Sequence, residues 1–203
     1  MKNILIASSV AILLAACGGR DGADTTITPD DANINLSRYT QGGNKPITIA
    51  TPNGKLYGYN QFASFYGLWE HNDGRVKELR YRGDKTVNVP QSGRATYVGK
   101  AVRWDTIKKQ ELDNGYSQLE VDFGKRTVNG EIKIPGARRD ITLHEGTLRG
   151  AEYAGHASVI GNNSGRYEGA LYGANAQETA GQVSFSNDSG LNTANLTDRK
   201  SVV

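Results

Sequence analysis

Cys17 is the only cysteine among the 203 residues, and its surroundings limit what its thiol can do. It follows an apolar run from 4 to 14 that is preceded by the positive charge of Lys2 and closed by the small residues Ala15 and Ala16. The run is too short to span a bilayer, so residues 1–16 are typical of a secretory signal peptide. In an oxidising envelope an unpaired thiol invites stray disulfides, which makes a chemically free cysteine unexpected here.

A cysteine at this junction resembles the lipobox of bacterial lipoproteins, in which the thiol is acylated and the signal is cut just before it. The resemblance implies that Cys17 is lipidated, for example with palmitate. Residues 17–35 then form a flexible lipidated tether, since they are small and polar without apolar periodicity. Because each buried methylene contributes about 0.8 kcal/mol, two or more acyl chains make a lasting anchor. The alternative is an ordinary signal peptide that leaves a free thiol.

Other reactive residue types are present without the spacing that catalysis or metal binding requires. The three histidines, His71, His144 and His156, are scattered and form no zinc-binding His-Glu-x-x-His motif. The sequence also contains no Gly-x-Ser-x-Gly nucleophile elbow and no phosphate-binding Gly-x-x-x-x-Gly-Lys-Ser/Thr loop. An acylated Cys17 cannot serve as a nucleophile. We therefore expect neither an enzyme nor a metal site.

The composition indicates an all-β protein with many turns. Twenty-five glycines and ten tyrosines occur beside a single methionine, with few long helix-forming runs. The chain has 24 basic and 21 acidic residues, and removal of residues 1–16 leaves 23 and 21, a net charge of +2. That balance is too even to indicate a nucleic-acid partner.

Residues 36–90 concentrate aromatic side chains and glycines in short runs. Eight of the sixteen aromatic residues lie between Tyr39 and Tyr81, which predicts a small N-terminal β-rich handle lobe. Tyrosine and tryptophan provide large contact areas at low cost in conformational entropy, so the lobe is a candidate partner-binding surface. The predicted partner contacts are Tyr57, Tyr59, Phe62, Phe65, Tyr66 and Trp69. The alternative is that Phe62, Phe65 and Trp69 form the core of the lobe.

Residues 91–203 show the alternation of apolar and polar residues that is typical of half-buried strands. Leu119, Val121 and Phe123 alternate with polar neighbours, and the segment 117–134 is predicted to form a hairpin with its turn at Gly124-Lys125. Further candidate strands cover 94–103, 140–148, 152–159, 166–172 and 180–186. These seven strands, with one more near the C terminus, predict an eight-stranded antiparallel up-and-down barrel.

An aromatic-x-Gly unit recurs within three of these strands, at Tyr97-Val98-Gly99, Tyr153-Ala154-Gly155 and Tyr167-Glu168-Gly169. A strand glycine permits a sharp bend, and an aromatic beside it can cover the gap left by the missing side chain. Repeated bends of this kind are what the closure of a small barrel requires. The alternative is that the glycines only mark loops.

The segments 93–99, 121–132 and 169–181 together resemble the β-barrel domain of transferrin-binding protein B. The same barrel occurs in the factor H-binding protein, the heparin-binding antigen and the hemophilin group. The resemblance implies a surface-exposed lipoprotein of the bacterial outer membrane, delivered by an outer-membrane lipoprotein translocator. It also implies non-covalent binding of a host serum protein, such as a complement regulator or an iron or haem carrier, for immune evasion or nutrient capture and hence for virulence.

Two features of the chain depart from this family. Family barrels often end in a last strand rich in glycine and phenylalanine, whereas residues 189–203 are polar and contain no aromatic residue. The chain is also much shorter than the two-lobed members that bind transferrin. The identity of the partner does not follow, because the family carries different binding loops on one scaffold.

Three other interpretations of the sequence stay open. Some relatives carry haem between handle and barrel, and haem needs an axial histidine or tyrosine in an apolar pocket, which makes His71 beside Trp69 the candidate ligand. The first expectation is nevertheless that no cofactor is bound. A purely structural envelope lipoprotein is the second interpretation. The third is polyanion binding through dispersed basic residues, namely Lys100, Arg103, Lys108, Lys109, Lys125, Arg126, Arg138 and Arg139.

Overall fold

The computed structural model describes residues 45–51, 54–73, 77–105, 110–136, 139–186, 193–197 and 199–202. Cys17, the predicted signal peptide and the predicted tether lie outside these ranges, so lipidation stays a prediction. Within these ranges every regular element is a strand, and no helix has the length and apolar character needed to cross a membrane. The predicted all-β fold class is confirmed.

The first sheet, here named the handle sheet, is an antiparallel meander of four strands that pair in sequence order. Its strands are β1 (Lys45–Thr51), β2 (Gly54–Asn60), β3 (Ser64–His71) and β4 (Lys77–Gly83). Gly58 lies opposite Gly67 in the β2–β3 register, and a Cβ on either would overlap the backbone of the other strand. Both glycines are therefore required by the close approach of the two backbones.

The second sheet is the barrel, and it follows the handle sheet after residues 84–93. Its strands are β5 (Arg94–Asp105), β6 (Gln110–Asp122), β7 (Thr127–Lys133), β8 (Ile141–Arg149), β9 (Glu152–Val159), β10 (Asn162–Tyr172), β11 (Glu178–Phe185), β12 (Thr193–Thr197) and β13 (Arg199–Val202). Consecutive strands pair antiparallel from β5 to β12, and β12 also pairs with β5. That last pairing closes the sheet on itself, as an up-and-down barrel requires.

The final strand position differs in one detail from the single strand that the sequence predicts. Thr193 of β12 lies opposite Arg103, and Arg199 of β13 lies opposite Val98, so the two short strands follow each other along β5. They occupy one position in the barrel, which therefore has eight strand positions made from nine strands. The polar C-terminal segment can fill this position because closure depends on backbone hydrogen bonds, which any residue except proline can donate.

The barrel interior is filled by the residues whose alternation predicts it. Leu119, Val121 and Phe123 of the β6–β7 hairpin are at most 2% exposed, and they belong to one apolar cluster that fills the barrel. Val89, from the segment that joins the two sheets, is buried in the same cluster. The Tyr97 hydroxyl donates to the Ala176 carbonyl oxygen at 2.7 Å, which ties the β10–β11 turn to β5. The interior is a packed core, in keeping with the small number of strands.

Aromatic residues do cover strand glycines, but across neighbouring strands rather than along one strand as the sequence suggests. Tyr153 lies opposite Gly169, and Tyr167 lies opposite Gly155. A Cβ on Gly155 would lie 2.5 Å from ring atoms of Tyr167. The reason is distance. Directly opposed residues on neighbouring strands lie closer together than residues two positions apart along one strand, although both pairs share a face of the sheet.

The handle sheet packs on the outside of the barrel through a second apolar cluster. The handle contributes Tyr66, Leu68 and Leu79, and the barrel contributes Val102 of β5 together with the outward-facing Ala170, Tyr172 and Ala180. All seven side chains are at most 8% exposed. The outer surface of β10 and β11 is therefore apolar where the handle covers it, and this contact sets the position of the handle relative to the barrel.

Candidate binding surface

The turn between β2 and β3 is fixed to the barrel by one buried carboxylate. Glu178, the first residue of β11, is 3% exposed. It accepts hydrogen bonds from the backbone N–H of Phe62 at 2.8 Å, from the N–H of Ala63 at 2.9 Å and from the Ser64 hydroxyl at 3.0 Å. Charge-assisted hydrogen bonds of this kind are stronger than neutral ones, so the turn is held in one conformation against the end of β11.

Phe62 projects from this fixed turn into solvent. Its side chain is 67% exposed, which excludes the alternative that Phe62 belongs to the core. Burial of an aromatic side chain is normally favourable, but Phe62 cannot turn inward easily because the backbone of its turn is held in place. The Phe62 N–H donates to Glu178, and the Asp84 N–H donates to the Ala63 carbonyl oxygen at 2.8 Å. The turn thus presents a large apolar side chain on a rigid support.

Three of the predicted partner contacts are packing residues instead. Phe65, Tyr66 and Trp69 are 7%, 0% and 4% exposed. Tyr66 belongs to the cluster between handle and barrel, and the Trp69 ring lies under the Arg80 guanidinium at 4.3 Å. Their burial corrects the prediction that they contact a partner directly. The physical reason is that β3 lies between β2 and β4 and is covered on both faces, so its aromatics stabilise the sheet.

Tyr57 and Tyr59 on β2 are half-buried and keep some exposed surface. The Tyr59 ring stacks on Tyr66 with centroids 5.5 Å apart, and its hydroxyl donates to the Asp113 carbonyl oxygen at 3.3 Å. Tyr59 therefore connects the handle to β6 of the barrel as well as bordering the solvent. Direct contact of these two tyrosines with a partner stays a prediction.

His71 is the last residue of β3, two positions after the buried Trp69. Its Nδ1 is 3.3 Å from the Asp73 carboxylate, and its side chain is 45% exposed. The other two histidines, His144 and His156, are also exposed, and His144 bonds the Ser158 hydroxyl. Among the described residues no group of three metal-ligating side chains occurs. Nothing in this arrangement tests the alternative of a haem ligand at His71.

The dispersed basic residues are not gathered by the fold into one patch. Arg103 is 4% exposed within β5, while Lys125 and Arg126 form part of the β6–β7 turn at one end of the barrel. Lys108, Lys109 and Arg138 lie outside the described residues. The polyanion interpretation therefore gains no support from the described part of the chain.

A cleft of about 720 Å³ separates β4 of the handle from the outer surface of β8, β9 and β10. Its handle wall carries Tyr81 and Arg82, and Lys85 lies at its edge. Its barrel wall carries Arg149, Glu152 and Glu168. Burial, with the nearby Glu168 and Glu152 carboxylates, raises the pKa of the Tyr81 hydroxyl well above its usual value of 10.0, so this group stays protonated at neutral pH.

Comparison with known proteins finds similar sequences and similar folds. Residues 87–183, which run from the segment joining the sheets to β11, match the family described as factor H binding protein, C-terminal. Transferrin-binding protein B of Moraxella catarrhalis is 25% identical to the chain, and the match covers 93% of the chain. The chain spans only 30% of the length of that relative.

Solved structures share the fold at low sequence identity. The structure of HpuA from Kingella denitrificans in complex with human haemoglobin matches with a TM-score of 0.58 and 20% identity, over 70% of this chain and 56% of that one. The barrel fold is also shared with transferrin-binding protein B from serogroup B Neisseria meningitidis, with a TM-score of 0.57 and 14% identity over 79% of this chain and 36% of that one. A structure described as a surface lipoprotein also matches, with a TM-score of 0.51 and 16% identity. The match covers 84% of this chain and 86% of that one. The resemblance to the transferrin-binding protein B barrel that the sequence indicates is therefore confirmed.

Several residues that shape this surface carry no signal that sequence reasoning could use. Glu178 is one of 21 acidic residues, and its burial results from its position beside the β2–β3 turn, more than a hundred residues earlier in the chain. Arg82, Arg149 and Glu168 come together only because β4 crosses the outside of the barrel. The pairing of handle and barrel is a long-range property, and no local periodicity encodes it.

Proposed function

We propose that this chain is a surface-exposed lipoprotein that binds a host protein non-covalently. The names of its relatives support this proposal, since they refer to the binding of transferrin, haemoglobin and factor H. The observation that carries it is Phe62, an aromatic side chain that is 67% exposed on a turn fixed by Glu178. Rigid aromatic side chains are typical anchors of protein interfaces, because little conformational entropy is lost when they become buried.

The proposed anchor is an acyl group on Cys17, at the outer membrane and facing outward after export by a lipoprotein translocator. The lipobox-like sequence before Cys17 supports the anchor, and the fold shared with a structure described as a surface lipoprotein supports the location. Cells grown with radioactive palmitate test it directly. We expect label on the wild-type protein and none on Cys17→Ser, while an unlabelled wild-type protein would contradict lipidation.

The binding proposal is tested by retention of serum proteins on the immobilised full-length chain, followed by mass identification. We expect one serum protein to be enriched over a column that carries an unrelated lipoprotein of similar charge. Failure to retain any serum protein, combined with a lack of antibody access on intact cells, would favour a structural envelope lipoprotein instead.

Haem is the alternative ligand, and the same purified chain can be titrated with it. A Soret band that depends on His71 would support the haem interpretation, whereas the proposed function predicts none. The control variant is His156→Ala, because His156 is also an exposed strand histidine but lies on the barrel.

A further inference from the structure

We infer that the cleft between β4 and the barrel receives a carboxylate-bearing, acidic segment of a protein partner, with Arg82 and Arg149 as the receptor groups. The inference rests on the proposed function and describes the chemistry of its partner more closely. The two arginines approach from opposite walls, Arg82 from the handle and Arg149 from the end of β8. A ligand between them would therefore contact both sheets at once.

The acidic residues of the cleft are already engaged. Glu152 forms an ion pair with Lys85, and the Glu168 carboxylate accepts a hydrogen bond from the Gln182 side-chain amide at 2.9 Å. Arg82 and Arg149, in contrast, form no ion pair and no side-chain hydrogen bond with any residue in the part of the chain that the structure describes. Because the Gln182 amide does not neutralise Glu168, the lining carries three positive and two negative side chains, and the cleft keeps an excess of one positive charge with two arginines that lack an ion-pair partner among the described residues.

The guanidinium group favours one class of ligand. Its planar fork of N–H donors matches the two oxygens of a carboxylate, and it stays protonated under all physiological conditions. The protonated Tyr81 hydroxyl lies in the same cleft and adds a further neutral donor. Ala154, Gly169 and Ala170 are uncharged residues that also line the cleft. Donors beside small apolar residues suit an aspartate or glutamate side chain with its methylene stem.

The dimensions and position of the cleft favour a protein segment over a free ion. A volume of about 720 Å³ is much larger than one small anion and leaves room for a few amino-acid residues. Phe62 and the cleft both lie along the contact of handle and barrel, since Glu178 and Tyr172 are at adjacent ends of β11 and β10. One partner surface with an apolar pocket and an acidic segment would engage both.

A calorimetric titration of the full-length chain with a hexaglutamate peptide tests the inference, with hexaglutamine as the neutral reference. We expect only hexaglutamate to bind. Arg82→Gln and Arg149→Gln should each weaken its affinity about three- to tenfold, the loss of one partly exposed charge-assisted contact. The matched control is Arg166→Gln, because Arg166 is an exposed arginine on the outside of β10 that does not line the cleft. It should leave the affinity unchanged.

Two results would overturn the inference. Equal weakening by Arg166→Gln would show that the peptide binds by overall charge and not in the cleft. Binding of sialyllactose in place of the peptide, with the same dependence on Arg82 and Arg149, would assign the carboxylate to a glycan. Melting temperatures of all variants establish that each is folded before its affinity is compared.

The serum experiment separates this inference from the proposed function. If the wild-type chain and the Arg82→Gln, Arg149→Gln double variant retain the same serum protein equally, the cleft inference is wrong and the proposed function stands. If the wild-type chain retains no serum protein while hexaglutamate binds as expected, the proposed function is wrong and the chemistry of the cleft stands alone.

Discussion

Replacing Glu178 with alanine should loosen the handle from the barrel. The carboxylate accepts hydrogen bonds from the N–H groups of Phe62 and Ala63 and from the Ser64 hydroxyl, at 2.8, 2.9 and 3.0 Å. Hydrogen bonds to charged groups contribute about 1.5–3 kcal/mol each, so three of them give an upper limit of about 9 kcal/mol. Water can solvate the amide beside the exposed Phe62 once the carboxylate is gone, which lowers the expected loss to about 3–5 kcal/mol.

Thermal unfolding and amide hydrogen exchange measure this effect together. A loss of that size lowers the melting temperature by about 6–20 °C for a chain of this length. The amides of Phe62 and Ala63 should exchange much faster in Glu178→Ala, while amides in the middle of β6 keep their protection. Glu178→Gln should show a smaller loss, because its amide retains one acceptor oxygen but places an N–H against the backbone donors.

Glu152→Ala is the matched control for this experiment. Its carboxylate also joins the handle side to the barrel, through Lys85, but its side chain is 65% exposed. Exposed ion pairs contribute less than about 1 kcal/mol, so the melting temperature should change little. The reasoning would be refuted if Glu178→Ala melted like wild type, or if Glu152→Ala cost as much as Glu178→Ala.

Two further predictions concern the barrel. Gly155→Ala should destabilise the barrel by about 1–3 kcal/mol in urea titrations, because the new Cβ would lie 2.5 Å from the Tyr167 ring. Gly124→Ala is the control and should be neutral, since no atom lies nearer than 3.5 Å to its new Cβ. Stability should also fall as the pH rises above about 10, since burial raises the pKa of several tyrosines, which then ionise only in the unfolded chain. Their contribution to stability is complete below the pKa of tyrosine in the unfolded chain and is lost as the pH rises above it. The urea midpoint should therefore be lower at about pH 11 than at about pH 9, and equal midpoints would contradict this prediction. The tyrosines concerned are Tyr81, Tyr97, Tyr153, Tyr167 and Tyr172.

The barrel could be predicted from sequence because its signals are local. Alternation in the β6–β7 hairpin separates Leu119 and Val121 from their polar neighbours, and a two-residue period needs no knowledge of distant residues. The division of the last position into β12 and β13 was not predictable in this way. Its residues are polar, and their pairing with β5 depends on the circumference of the closed sheet.

The binding surface was less accessible to sequence reasoning. Aromatic residues between 57 and 69 indicate either a core or an interface, and the sequence contains no signal that separates the two. The structure separates them by position, since Trp69 lies within a covered strand whereas Phe62 lies in a turn. The cleft arginines belong to β4 and β8, which meet only through the packing of handle on barrel. Such contacts depend on tertiary structure.

The proposal that Phe62 anchors a host protein is tested most directly by equilibrium titration of the serum protein that the chain retains. We expect Phe62→Ala to weaken its affinity about tenfold or more, as truncation of an aromatic hot spot does. Ile160→Ala should leave the affinity unchanged, because Ile160 is 88% exposed but lies in the β9–β10 turn at the opposite end of the barrel. Equal affinities of wild type and Phe62→Ala, with both proteins folded, would contradict the account.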